Sequence, residues 1–341
     1  MQARSPAWAG TTARLGSPER GPRAVASGSW SRPDGRRTLQ LVLATIWLLD
    51  GLLQLQGFFF TRSFATQMIA PGAQGNPSVI ARPITWSGLT IGHHAVITNL
   101  AFALLQVGLG LGIAWRPTVK VALGASIAWS IGVWWIGEGL GGVLSGAADP
   151  VNGAPGAVII YALLAVLLWP RHRPGPAPSF VAAGAVGEPV AKGLWLVLWG
   201  SLSYFAVNGA NRSSQGLHDL IDGMTAGEPG WLTSLNRQAA TVVDHRGLVT
   251  MTVLAVVSAL VAVGVYLPPG AGNATLVVAV VISLLWWVVG EDLGQLLTNG
   301  ATDVNTGPLL ILLALAYWRH RRPPLVAPSV GADPADGSGS A

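Results

Sequence analysis

Two glutamates open the chemical reading, because each closes a tryptophan-rich apolar stretch in the same local pattern: Gly137-Glu138-Gly139-Leu140-Gly141 and Gly290-Glu291-Asp292-Leu293-Gly294. A helix C-terminus carries partial negative charge, so a carboxylate there costs roughly 0.3–1 kcal/mol and calls for a compensating donor or cation. His93 and His245, at the start of the preceding apolar segments, or Arg82, Arg237 and Arg246 nearby, are the expected partners. Downstream, Asp149 and Asn152 lead to Pro155, and Asp303 and Asn305 lead to Pro308. That order reads as the start of a helix, in which short side-chain oxygens cap free amides and proline is tolerated in the first turn. With Trp135 and Trp287 as flat walls, these residues define a candidate ligand pocket in each half of the chain. Glu138, Glu291, His93 and His245 are also the candidate ligands of a divalent metal, since the chain has no cysteine to supply thiolates. A second reading stays open, in which each Gly-Glu-x-Leu-Gly block is a structural turn whose carboxylate bonds exposed amides.

Asp50 is a separate signal. It lies mid-way along the apolar run 39–60, with Gln54 one helical turn away on the same face. A carboxylate at the centre of a membrane-spanning helix costs about 2.5–3.5 kcal/mol, so such a group belongs inside a bundle and points to a proton relay or a quinone contact. The alternative is a neutral Asp bonded to Gln54 or Gln106.

The elements that must position these groups are membrane helices. Of the 341 residues 51% are hydrophobic and only 10% charged, against about 25% charged in an ordinary soluble domain. Eight stretches approach the roughly 20 apolar residues a span requires: 39–60, 91–115, 121–137, 151–169, 193–210, 247–267, 274–290 and 304–318. The expected fold is therefore all-α, a polytopic membrane protein. Residues 1–38 and 319–341 read as disordered basic tails, and 171–192 as a Pro-rich linker between membrane units 39–170 and 193–318. The first span reads as an uncleaved signal anchor. Fifteen of the 20 basic residues fall on one side of this arrangement, which places both termini in the cytoplasm of a cell whose cytoplasmic membrane holds the protein. The opposite face carries more acids than arginines and would attract cations. Basic clusters beside spans, without interleaved aromatics, exclude a nucleic-acid groove.

The two units repeat. Trp47 corresponds to Trp199, Pro77 to Pro229, His93 to His245, and the pair Trp134-Trp135 to Trp286-Trp287, ahead of the two glutamate blocks. Four spans per unit give both the same orientation, so a pseudo-twofold axis along the membrane normal is expected. The glycines of 108–112 and 137–141 lack a preceding strand and read as helix-packing positions, not dinucleotide loops.

The run Leu48-Leu49-Asp50-Gly51-Leu52-Leu53-Gln54, followed by a long outer loop and a Gly-rich second helix, resembles the DoxX-like superfamily. The Gly-Glu-x-Leu-Gly block is similar to that of duplicated actinobacterial multi-pass proteins. The resemblance implies a helical bundle linked in some members to quinone-coupled sulfur redox chemistry. The chain itself contains no cysteine. Three functions follow as expectations: a non-catalytic membrane subunit or ligand-binding protein, a quinone-linked redox subunit, or a cation or small-solute transporter. The first is preferred, as no nucleophile or enzymatic signature is visible. Membrane lipids, and a redox or extracytoplasmic protein, are the expected partners.

Overall fold

The computed structural model describes residues 34–170 and 178–319. The stretch 1–33, residues 171–177 with Arg171 and Arg173, and the tail from 320 with Arg321 and Arg322 lie outside the described residues. Eleven helices of nine residues or more make up the described residues, with short turns and no strand among them: α1 (Gly35–Leu53), α2 (Ser78–His93), α3 (Ala95–Ala114), α4 (Val119–Ile136), α5 (Ala157–Leu167), α6 (Glu188–Ala206), α7 (Gly216–Met224), α8 (Gly230–Val243), α9 (Gly247–Gly264), α10 (Pro269–Leu285) and α11 (Thr306–Tyr317). Four are long and apolar enough to cross a membrane: α3, α4, α9, and α10 with the π turn 286–290 that extends it. Between 28% and 39% of each is buried within the protein. Most of their apolar surface, such as Ile97, Val121, Val249 and Leu285, therefore faces outward, as lipid-facing helices do.

The same pairings occur twice. Helix α1 packs on α3 and α4 on α5, while α6 packs on α9 and α10 on α11. The α1–α3 contact is close because glycine removes the Cβ where backbones meet: a Cβ on Gly110 would lie 2.8 Å from the Ala44 carbonyl oxygen. Gly112 meets Ala122 in the same way, whereas Gly108 has nothing nearby.

Several boundaries differ from the expected ones. The tail assigned to 1–38 ends earlier, since α1 begins at Gly35 and Arg37 belongs to it. The Arg37 guanidinium donates to the Ile113 carbonyl at 2.9 Å and to that of Ala114, capping free carbonyls at the end of α3. Arg319 does the same for α9, donating to the Leu267 carbonyl at 2.6 Å and to that of Val265. The described end of the linker is no loose spacer either. Phe180 and Ala182 are buried, the Ala182 amide donates to the Ala316 carbonyl at 2.9 Å, and α6 starts at Glu188 instead of 193.

The segments ahead of α3 and α9 are helical. Helices α2 and α8 each start immediately after a proline, Pro77 and Pro229, and run into α3 and α9. The expected continuous span 91–115 is broken at His94, where φ is −123° and helix gives way for one residue. The chain bends likewise at His245, with φ +54°.

Candidate functional site

Glu138 and Glu291 lie just beyond the ends of α4 and of the α10 extension, and each turns back onto the helix that follows. Glu138 Oε1 accepts the Val158 amide at 3.2 Å and the carboxylate also takes the Ala157 amide. Glu291 Oε2 accepts the Gly307 amide at 3.1 Å, and its Oε1 accepts the Thr306 hydroxyl. Both carboxylates thus sit on the positive N-terminus of a helix, α5 or α11, which compensates the unfavourable dipole of the helix they leave. Burial pushes Glu138 up to about 8, helped by the negative charge of Asp303 and opposed by the two amides. Burial likewise raises Glu291 to about 8.

The histidines are elsewhere. His93 is exposed at the α2–α3 joint with Nδ1 2.6 Å from the Leu89 carbonyl oxygen, and His245 is exposed beside Asp244. Among the described residues no three His, Asp or Glu side chains gather closely enough to hold a metal ion. The expected Glu–His clusters are therefore not formed, because the imidazoles sit where a chain bend needs a polar residue while the glutamates find backbone amides.

The tryptophan correspondence shifts by one. The amides of Glu138 and Glu291 bond the carbonyls of Val133 and Trp286, five residues back in each case. Trp134 then matches Trp287: their indole N–H groups donate to the carbonyls of Pro155 (2.6 Å) and Val304 (2.9 Å), each two residues ahead of the next helix. Trp135 is 38% exposed. Asn152 is exposed as well, and Asp149 Oδ1 accepts the Val151 amide at 2.8 Å, closing its own turn. Asn305 caps α11 by accepting the Thr306 amide at 2.8 Å. Pro155 precedes α5 by two residues whereas Pro308 is the third residue of α11, so these helix starts differ in detail.

What the fold does bring together is a cavity of about 500 Å³ in the first half of the chain. Its polar lining unites Asp50 and Gln54 of α1, Gln106 of α3, Glu138, Tyr161 of α5, and Asp303 from the second half. Trp47, Trp86, Phe102 and Trp129 supply aromatic walls, and Trp86, 69% exposed, marks the side on which the cavity meets its surroundings. Among the described residues no Lys, Arg or His lines it. Asp50 is fully buried, and its partner is neither Gln54 nor Gln106: Tyr161 donates its hydroxyl to Oδ2 at 2.6 Å, and the Val304 amide donates as well. Asp303 accepts the Asn305 amide at 2.7 Å and the Thr302 hydroxyl at 2.8 Å, which fixes its own turn beside the cavity. Asp50 Oδ1, Gln54 Oε1, Gln106 Oε1 and Glu138 Oε2 are buried without a protein donor, as are the indole N–H groups of Trp47 and Trp129 without an acceptor. Buried polar atoms are nearly always paired, so this concentration around one cavity marks a place for a bound molecule or ordered water.

In the second half large aromatic side chains pack on one another. Leu202, which the repeat would align with Asp50, is an apolar residue, and Trp286 accepts the Glu291 amide as Val133 accepts that of Glu138. Trp286 stacks on fully buried Trp199 at 6.1 Å, and Trp195 packs on Tyr317 at 4.7 Å. Tyr161 and the cross-unit reach of Asp303 were not visible as site features in the sequence. A lone tyrosine in an apolar span carries no periodic signal, and Asp303 read as a cap within its own unit.

Compared with protein-family models, curated proteins and solved structures, the chain matches none.

Proposed function

We propose that this chain is an eight-span protein of the cytoplasmic membrane, two tandem four-span units with both termini in the cytoplasm, whose first unit binds a lipid-soluble amphipathic molecule. Helices α1, α3, α4, α5, α6, α9, α10 and α11 are the eight spans of this reading, and the repeated pairings between them support the duplication. The observation that carries the binding reading is the cavity itself. Its aromatic walls suit an apolar body, and its unpartnered carboxyl and amide oxygens suit a head group that donates hydrogen bonds. The polar groups come mostly from span interiors and span ends, so the molecule enters from the bilayer past Trp86.

A second reading has one observation in its favour. The Asp-Gly-Leu-Leu-Gln run behind the DoxX-like resemblance supplies two groups of the cavity, Asp50 and Gln54, and the Tyr161–Asp50 hydrogen bond is suited to passing a proton to a quinone oxygen. Both readings share one site and are separated by the identity of the bound molecule.

Gly132 lines the cavity and a Cβ added there meets nothing within 4 Å, so a larger residue fits without disturbing α4. Native mass spectrometry and solvent extraction of the purified chain should find a small molecule on the wild type and none on Gly132→Phe. Equal content in the two proteins, at equal thermal stability, refutes the binding site. A quinone in the extract, lost also from Tyr161→Phe, would select the redox reading.

A further inference from the structure

We propose that Glu228, Asn236 and Asp292, in the second half and apart from the cavity, form a binding site for a divalent cation of the calcium class. Glu228 lies in the turn before α8, Asn236 is the seventh residue of α8, and Asp292 follows Glu291 after the π turn of α10. The Asn236 amide donates to Glu228 Oε1 at 2.6 Å, and the Asp292 and Glu228 carboxyl groups are within hydrogen-bonding contact of one another. Four oxygens of this cluster are buried and have no donor: both of Asp292, Oε2 of Glu228 and Oδ1 of Asn236. Asn236 and Asp292 have no exposed surface at all, while Glu228 is half-buried and leaves an ion a way in. Neither acid forms an ion pair among the described residues.

The first half of the molecule is an internal control. Helices α2 and α8 both begin directly after a proline, and the residues before those prolines are Asn76 and Glu228. The seventh helical residues are Ile84 and Asn236, and the residues after the capping glutamates are Gly139 and Asp292. In the first half the Asn76 amide donates to the Gly72 and Gly139 carbonyls at 2.8 and 3.2 Å, Ile84 is buried in an apolar cluster, and no acid is needed. The same framework therefore closes with neutral residues. In the second half all three places carry oxygen ligands, and two of them carry like charges in contact. Asp292 also holds φ +49°, where Gly139 stands at +55° without a side chain to place.

Two carboxylates in contact do not both ionise unless a cation lies between them; otherwise one of them keeps a proton. Burial, and then the neighbouring Glu228, push Asp292 up to about 7, as crowding by a like charge does. The donor set is all oxygen, without sulfur or imidazole, which selects hard cations. The three side chains come from separate elements in irregular geometry. That suits calcium, which accepts six to eight oxygens with water completing the shell, better than magnesium, which demands a near-ideal octahedron.

The test is calorimetric titration of calcium chloride into the full chain in detergent at pH 7.5 after chelator treatment, with thermal unfolding in parallel. One saturable binding event and a calcium-dependent rise in Tm are expected. Both should vanish in Glu228→Asn/Asp292→Gly, which installs the residues the first half already folds with, and the binding heat should be lost in Asn236→Ile. Absence of saturable binding by the wild type overturns the proposal, as does binding that persists in the double variant. A Tm that does not respond to calcium overturns it too.

Discussion

Replacing Glu291 by Gln isolates the consequence of burying a carboxyl group on a helix N-terminus. Glu291 has an ordinary value of 4.5 and is pushed up to about 8 in the fold, chiefly by burial. The folded state thus holds the proton more tightly than the unfolded chain. Stability from this group is fully present below about pH 4.5 and is lost as the pH rises through about 8. A difference of about 3.5 pH units, at about 1.4 kcal/mol each, amounts to on the order of 5 kcal/mol across that window. Glu138, also raised to about 8, contributes a similar share. Thermal unfolding followed by tryptophan fluorescence, in detergent from pH 5 to 8, should show stability falling at about 1.4 kcal/mol per pH unit for each glutamate. Glu291→Gln keeps an oxygen for the Gly307 amide and removes its titration, so it should lower the slope; adding Glu138→Gln should lower it further and leave the share of Asp292, which is raised to about 7. A wild type whose stability is level across this range, or a slope unchanged in both variants, refutes the reasoning.

Other outcomes follow from single contacts. Trp134→Phe removes the donor to the Pro155 carbonyl and should cost about 1–3 kcal/mol, while Trp135→Phe, on the exposed face, should stay within about 0.5 kcal/mol; equal losses in chemical denaturation would contradict the tryptophan assignment. Gly156→Ala should destabilise by about 1–3 kcal/mol, because Gly156 has φ +115° and an added Cβ meets Glu138 Oε2; its Tm should fall where Gly132→Ala leaves Tm level or raised. Arg319→Met leaves the Leu267 and Val265 carbonyls without their donor and should cost about 2 kcal/mol, read as faster hydrogen exchange at the end of α9.

Much of this molecule is local, and local features are legible in a linear chain. Long apolar runs such as Ala95–Ala114 and Gly247–Gly264 dictate membrane-compatible helices because every backbone polar group is satisfied within the segment. The two glutamate blocks, and the helix starts after them, are likewise short-range patterns, and the structure places a capping carboxylate at each. The helical character of 78–93 and 230–243 escaped, since those segments mix polar and apolar residues and lack the length of a span.

Residue order alone dictates the helical, lipid-compatible composition and sets Asp50, Glu138 and Glu291 at conspicuous points along it. Their company is assigned by packing in three dimensions. Asp50 meets Tyr161, 111 residues away, and the cavity also takes Asp303 from the other half of the chain. The histidines are left on the surface at chain bends. A buried polar group is satisfied by whichever partner packing delivers, and packing between helices depends on the volume of residues far apart in sequence. Val133 lines the cavity, whereas Trp286, which accepts the Glu291 amide as Val133 accepts that of Glu138, is buried against Trp199, a difference no local pattern announces.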